Sequence, residues 1–424
     1  MSSLDFLKPV IHLLPEIKPP ERPLGLKDKL IWVAVALGVF FVMFNTAALG
    51  VNVPRGEGLE FLQVVTASRI GSLLTIGIGP IILASIFLQL FNGAGILKFD
   101  MQDPEDKKTF FGTQKLLAIV LAFFEAAMFV FLGRLELISD TFFMQSLVVV
   151  QLSFSSIILL YLDEIVSKYG IGSGISLFIA AGVSFTIISG TLGLVTGTNG
   201  IIEIFAEGGA EAIPNAIFHL TPLFFTLLVF AVVVYAEGMK VELPLAFGLA
   251  KGVGGRFPIK FLYVSNIPVI LTAALLLNVQ LFAAAFPSHP PEVRPEGFDI
   301  VGSFAWVVDM PAQDGASTYP VLMDGFLYLI TARGITPPTG QTFFDYIGVI
   351  ATATTPIFNI PELMHMLIYA IMFVLMCILF GKFWVETAGM GAKDVARQLQ
   401  SSGFQIPGYR RDPRAIESLS LIHI

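Results

Sequence analysis

Five histidines, one cysteine and one acidic residue inside a long apolar run are the side chains whose types could do chemistry in this sequence. His12, His219, His289, His365 and His423 are scattered and share no HExxH spacing, so no metal cluster is expected. Cys377 has no partner for an intramolecular disulfide and sits among Leu375, Met376, Ile378 and Leu379, which reads as a small apolar side chain without a redox role. There is no CxxC pair, no Walker loop and no Ser/His/Asp arrangement, so no catalytic residue, no cofactor and no enzyme activity are expected. Gly170, Gly172 and Gly174 in YGIGSG have the look of a nucleotide loop. No strand precedes them and an apolar helix follows, so close helix packing is the expectation. Glu125 stands alone in its apolar run, and pairing with a neighbouring helix is expected of it. An ion-coupled pathway would call for several such groups.

The elements that hold these residues are set by composition. Of 424 residues, 55% are hydrophobic and 13% charged, and the mean hydropathy is +0.80. A soluble domain carries about 25% charged residues, so this chain cannot cover a water-facing surface and its solvent must be largely lipid. A helix needs roughly 20 mostly apolar residues to cross the hydrocarbon layer. Eight segments qualify: 30–49, 72–91, 114–133, 143–162, 173–195, 217–236, 265–286 and 364–385. Their runs are continuous, whereas a membrane barrel would show short alternating segments. The fold class expected is therefore all-α, a polytopic membrane helix bundle. No cleavable signal peptide is expected, because residues 1–29 are rich in proline and cations and the first apolar run begins at Leu30.

With the N-terminus on the cytoplasmic side, 20 of the 25 Lys and Arg residues fall on that side, as the positive-inside rule requires. The basic connections, 240–260 and 382–414, either obey insertion bias alone or also dock an anionic partner such as ribosomal RNA. Residues 50–71 contain an apolar turn or two after Gly56 and Gly58, too short to span, and are expected to form an outer half-helix folded toward the bundle. In the long outer segment 287–363, the pieces 326–331 and 346–358 read as surface or re-entrant structure.

Spans two and seven share a pattern: Pro80-Ile81-Ile82-Leu83-Ala84 aligns with Pro268-Val269-Ile270-Leu271-Thr272. The two spans run in opposite directions, the signature of an inverted repeat with its path near the bilayer midplane. Proline is common in membrane helices, so chance is an equal explanation of so short a match. Pro80, flanked by Gly77 and Gly79, is expected to bend its helix.

Taken together, TASRIGSLLTIGIGPIILASI (66–86), YLDEIVSKYGIGSGISLFIAAGVS (161–184), VYAEGMKVELPLA (234–246), FPIKFLYVSNIPVILTAALL (257–276) and FGKFWVETAG (380–389) resemble the SecY family in its archaeal form, related to the eukaryotic translocon alpha subunit. The likeness extends over residues 1–417. It implies a protein-conducting channel in the cytoplasmic membrane that passes secretory polypeptides and releases membrane segments laterally into lipid. It also implies two inverted pseudo-symmetric halves. Residues 1–29 would be a cytoplasmic segment, 30–195 the first half, 196–216 an external hinge loop, and 217–417 the second half with three spans.

Residue by residue, the resemblance assigns the apolar pore ring to Ile78, Ile82, Ile175, Ile179 and Ile270. It assigns the plug to residues 56–66, with Leu59, Phe61, Leu62 and Val65. It places Asn266 in a lateral gate built from spans two, three, seven and eight, and Lys251, Arg256, Lys260 and Arg410 in two ribosome-docking loops. The implied partners are the small SecE/gamma-type and beta-type membrane subunits, the ribosome, translocating polypeptides with their signal sequences, and the lipid bilayer. The physics fits the ring. Ile78 and Ile82, like Ile175 and Ile179, are spaced i, i+4 and share a helix face. Stiff branched side chains make a dry constriction that blocks ions by dewetting. The competing reading, a secondary transporter with inverted repeats, calls for a polar midplane site where this sequence has isoleucines.

The family has ten spans and this sequence has eight, so it reads as C-terminally truncated. Residues 418–424 depart from the family. LSLIHI is what a common transposase sequencing adapter encodes in this frame, so a non-native tail is expected there.

Overall fold

The computed structural model describes residues 8–52, 66–97, 99, 103–132, 135, 137–139, 141–197, 200–207, 212–247, 254–260, 264, 267–283, 286–290, 304–311, 318–330, 351–352, 354, 359–387, 391 and 404–405. Each of the eight apolar runs is a helix: α2 (Leu26–Asn45), α3 (Gly79–Gly93), α4 (Pro104–Phe131), α5 (Phe142–Tyr169), α6 (Gly174–Thr196), α8 (Ala212–Gly238), α9 (Ile267–Ala283) and α11 (Glu362–Thr387). Short helices α1 (Lys8–Leu13), α7 (Ile201–Glu207) and α10 (Phe326–Leu329) lie between or before them. Among the described residues, α4, α5, α6, α8 and α11 are long and apolar enough to cross a bilayer, while α3 and α9 are shorter apolar helices.

Span two differs from its prediction at the start. The apolar run begins at residue 72, but helix begins only at Gly79. Gly77 has φ +52° and Gly71 φ +84°, so the chain folds through tight turns before the helix starts. These turns are closed by main-chain bonds from Ile78 N to Thr66 O (3.0 Å) and from Arg69 N to Leu74 O (3.2 Å). Pro80 is consequently the second residue of α3 and does not kink it. A first-turn proline loses no helical hydrogen bond, because that N–H has no partner inside the helix. Pro268 holds the same second position in α9, so the two short matched segments also match as helix starts.

By contacts between residues the chain forms two compact units. The first comprises residues 1–88, 108–188 and 270–377. Its helices pack through aromatic and small side chains. Phe40 of α2 stacks on Phe178 of α6 with centroids 5.3 Å apart, and both are fully buried. Phe44 meets Phe185 edge-on one turn further along. Ser153 of α5 donates to the carbonyls of Val149 and of Ala122 on α4, so a small polar side chain closes the α4–α5 contact without an unsatisfied hydroxyl. The YGIGSG glycines form a helix corner as expected. Asp163 Oδ1 accepts from Ile175 N (2.8 Å) in the first turn of α6, and a Cβ on Gly174 would lie 2.5 Å from Asp163 Cα.

The N-terminal segment is strapped to α4 and α5 by charge. Glu164 of α5 takes Lys115 of α4 at 2.7 Å, Lys168 at 2.9 Å and the backbone N–H of Ile17 at 3.1 Å. Lys115 also donates to Pro15 O, Lys168 to Ile17 O, and Tyr169 to Lys18 O. The Glu164 side chain is 18% exposed and Lys115 16%, so the pair is largely desolvated. Glu164→Ala leaves both ammonium groups and the Ile17 N–H without this acceptor, and is expected to destabilise the protein by about 2 kcal/mol. The thermal midpoint in detergent reads this, together with faster proteolysis within residues 8–18. Glu164→Gln, which keeps an acceptor, should lose less.

Between α9 and α11 lies a three-stranded sheet in the order β3 (Ser288–His289), β4 (Trp306–Pro311), β5 (Thr318–Asp324), with β3 parallel and β5 antiparallel to β4. Ala283 of α9 joins Val307, Leu322, Leu327 and Tyr328 in its core. The piece predicted at 326–331 is thus a helix, α10, with Leu327 and Tyr328 turned into that core. The piece at 346–358 lies mostly outside the described residues. Tyr328 also donates to Glu362 Oε1 (2.8 Å), while His365 contacts Glu362 Oε2 (2.9 Å) and Tyr328 O (3.0 Å), fastening the sheet to the first turn of α11.

The second unit comprises residues 89–107, 189–269 and 378–424. Here Phe383 lies against Gly93, where a Cβ would approach its ring to 2.4 Å. After α8 comes a second sheet in the order β2 (Gly254–Lys260), β1 (Lys240–Phe247), β6 (Phe404–Gln405).

Candidate pore constriction

Ile78 is the last residue before α3, and Ile82 follows one turn on. The bond from Ile82 N to Ile78 O (3.1 Å) gives the pair helical geometry, so the i, i+4 relation read from the sequence holds in space. Both are buried, at 0% and 3% exposure. Ile175 and Ile179 are half-buried on α6, on either side of the fully buried Phe178, and Ile270 is half-buried on α9. All five belong to the first unit.

The turns before α3 bring two of these helices together. Thr66, whose carbonyl accepts from Ile78, is followed by Ala67 (φ +48°, fully buried), and Ala67 lies against Gly182 of α6, where a Cβ would sit 3.3 Å from its Cα. From α5, Ser156 donates to Gly77 O (3.1 Å). From α4, Glu125 abuts Gly79: a Cβ there would meet its Oε2 at 2.9 Å. Glu125 is 5% exposed and its Oε1 has no hydrogen-bond partner among the described residues, so the expected pairing with a neighbouring helix is a packing contact. Ile270 is carried by a helix that meets α4 through Phe124 and Phe282, 5.7 Å between centroids.

Leu59, Phe61, Leu62, Val65, Asn266, Lys251 and Arg410 lie outside the described residues. Arg256 and Lys260 are in β2. Sequence reading gave no role to Gly182, Ser156 or Ala67, which fix where the start of α3 sits. The available signal was the series of small residues in 66–79 and at 182, which marks backbone approaching backbone.

Helices long and apolar enough to cross a bilayer define a polytopic membrane protein, and among the described residues no group of His, Cys, Asp and Glu could hold a metal ion. The SecY family model matches residues 72–422. The protein translocase subunit SecY of Methanocaldococcus jannaschii is 41% identical over 413 residues, 97% of this chain and 84% of that protein. A solved structure described as that of a protein-conducting channel superposes with a TM-score of 0.73 at 38% identity, covering 97% of this chain and 85% of that one. Sec61 in the canine ribosome–channel complex superposes with a TM-score of 0.71 at 36% identity, over 98% and 86%. The chain belongs to the SecY family, and it is a channel subunit of the protein translocase. The transporter alternative falls with that assignment.

Proposed function

We propose that this chain forms the central pore of the channel, closed at rest by the ring of Ile78, Ile82, Ile175, Ile179 and Ile270. The observation that carries the reading is the burial of Ile78 and Ile82 on one turn at the start of α3, where helices α4, α5 and α6 converge through Glu125, Ser156 and Gly182. A ring of branched apolar side chains excludes water when empty and widens around an extended polypeptide without offering it a specific hydrogen bond. Residues 56–66 act as the plug, and α3, α4, α9 and α11 form the lateral gate with Asn266. The close approach of Phe124 and Phe282 supports an α4–α9 seam that can part toward lipid.

The bias of Lys and Arg supports a cytoplasmic N-terminus in the cytoplasmic membrane. SecE/gamma-type and beta-type subunits complete the assembly, and the ribosome docks at Lys251, Arg256, Lys260 and Arg410. The ribosome-bound state of the canine relative supports that last partner. A photo-crosslinking residue in place of Ile82 tests the pore. It should capture a secretory polypeptide arrested during translocation into proteoliposomes, while the same residue at Phe224, exposed on α8, should not. Equal capture at both positions, or none at Ile82, would sink the reading.

A further inference from the structure

The sheet of β3, β4 and β5, with α10, carries none of the ring residues, yet it leaves aromatic side chains uncovered. Phe286, in the turn after α9, lies 5.6 Å from Phe304, just before β4, and Phe304 lies 6.2 Å from Phe326 of α10, measured between ring centroids. Phe304 and Phe326 stack at an interplanar angle of 21°. Phe304 is 44% exposed and Phe326 51%, although their neighbours Ala305, Leu327 and Tyr328 are buried. The backbone fixes the pair. Gly325 has φ +100°, and a Cβ there would lie 2.8 Å from Phe304 O, so only glycine lets α10 start against the approach to β4. Exposed apolar rings held side by side form a patch, and such a patch marks an interaction surface.

Two observations place this patch at the depth where lipid begins. α9 has 17 residues and rises about 25 Å, less than the roughly 30 Å of hydrocarbon. Its last residue, Ala283, belongs to the core of the sheet, so no stem lifts the sheet away from the edge of the hydrocarbon. α11 gives the same level. Its first turns expose Leu363, Met364 and Leu367, side chains that a spanning helix presents to lipid. In that same stretch Glu362 and His365 reach Tyr328, two residues from Phe326. The aromatic patch therefore lies level with the lipid-facing surface of α11.

We propose that Phe286, Phe304 and Phe326 seat this sheet in the interface of the outer leaflet, and that the sheet thereby holds the outer ends of α9 and α11 at one depth. The partner is the lipid surface itself. Aromatic rings favour the boundary between headgroups and acyl chains, where their apolar bodies leave water without crossing into the tails. The leaflet follows from the orientation proposed above, whereas the depth does not depend on it.

The test uses the full assembly in lipid nanodiscs, with an environment-sensitive fluorophore on Phe326→Cys in a Cys377→Ser background. Phosphatidylcholine carrying a nitroxide near the headgroup should quench it more than phosphatidylcholine labelled near the chain end. At Phe224, exposed and mid-length in α8, the order should reverse. Quenching at 224 but by neither lipid at 326 overturns the proposal, as does stronger quenching at 326 by the deep label. A blue-shifted emission in detergent that disappears on dilution overturns it as well, and assigns the patch to a second copy of the chain. Phe304→Asp puts a charge on the exposed patch and should cut the shallow quenching at 326 at least about twofold, while Phe304→Leu should not. If Phe304→Asp leaves the quenching unchanged, the rings are not what seats the sheet.

Discussion

Replacing Gly77 by alanine is expected to remove a large part of the fold's stability, about 3–5 kcal/mol out of a total on the order of 5–15. Two effects add. At φ +52° an L-residue pays for a left-handed backbone, roughly 1–2 kcal/mol. The new Cβ would also lie 2.2 Å from Thr66 O and 2.9 Å from Ser68 Cβ. Neither neighbour can give way cheaply, because the Thr66 carbonyl accepts from Ile78 N and the Gly77 carbonyl is held by Ser156. Gly95→Ala is the control. Its φ is +71° but nothing lies within 4 Å of the added carbon, so it carries the backbone penalty alone. Thermal midpoints of both variants in one detergent separate the two effects. If Gly77→Ala melts no lower than Gly95→Ala, the contact with Thr66 is not what fixes the start of α3.

The second large effect is on permeability. In the full assembly with residues 56–65 deleted, substituting Ile78, Ile82, Ile175, Ile179 and Ile270 together by glycine should raise resting ion conductance in planar bilayers at least about tenfold. The deletion stops before Thr66 because that residue's carbonyl supports Ile78. Glycine weakens the helices it enters by about 1 kcal/mol each, so a five-threonine version is the companion variant. Threonine keeps a branched side chain but adds a hydroxyl that water can wet, and it should also leak. Conductance at the wild-type level in both versions would remove the isoleucines from the seal.

The parts legible in the sequence were those governed by local composition. Every long apolar run is a helix, because lipid leaves the backbone no other way to satisfy its polar groups within one segment. The i, i+4 relation of Ile78 to Ile82 was legible too, and the bond from Ile82 N to Ile78 O keeps it across the start of α3. The start of α3 was not. Residues 72–78 are as apolar as those that follow, and what stops the helix is the left-handed Gly77 locked to Thr66 and Ser156 by contacts invisible to periodicity. Pro80 was misread with it, since a proline looks like a kink only if the helix has already begun.

The sheet of β1, β2 and β6 was hidden differently. Pro244 and Pro258 argue against strands, and both lie within one. Pro244 lies two positions before Ala246, where the described pairing of β1 with β6 begins. The pairing of residues 246 and 405 spans a chain distance that no local pattern reports. The Tyr328–Glu362–His365 cluster was equally out of reach, as His365 acquires its partner from 37 residues away.

The turns of residues 66–78 also bear on how the protein is made. This stretch is non-helical and almost wholly buried, yet it is continuous with a helix of only 15 residues. Non-helical backbone is tolerated at membrane depth only where protein covers it. Its cover comes from Glu125, Ser156 and Gly182, all of which are synthesised later. The second apolar segment therefore has no stable place in lipid when it first emerges. Those contacts become available only once roughly a hundred further residues, as far as Gly182, have been translated.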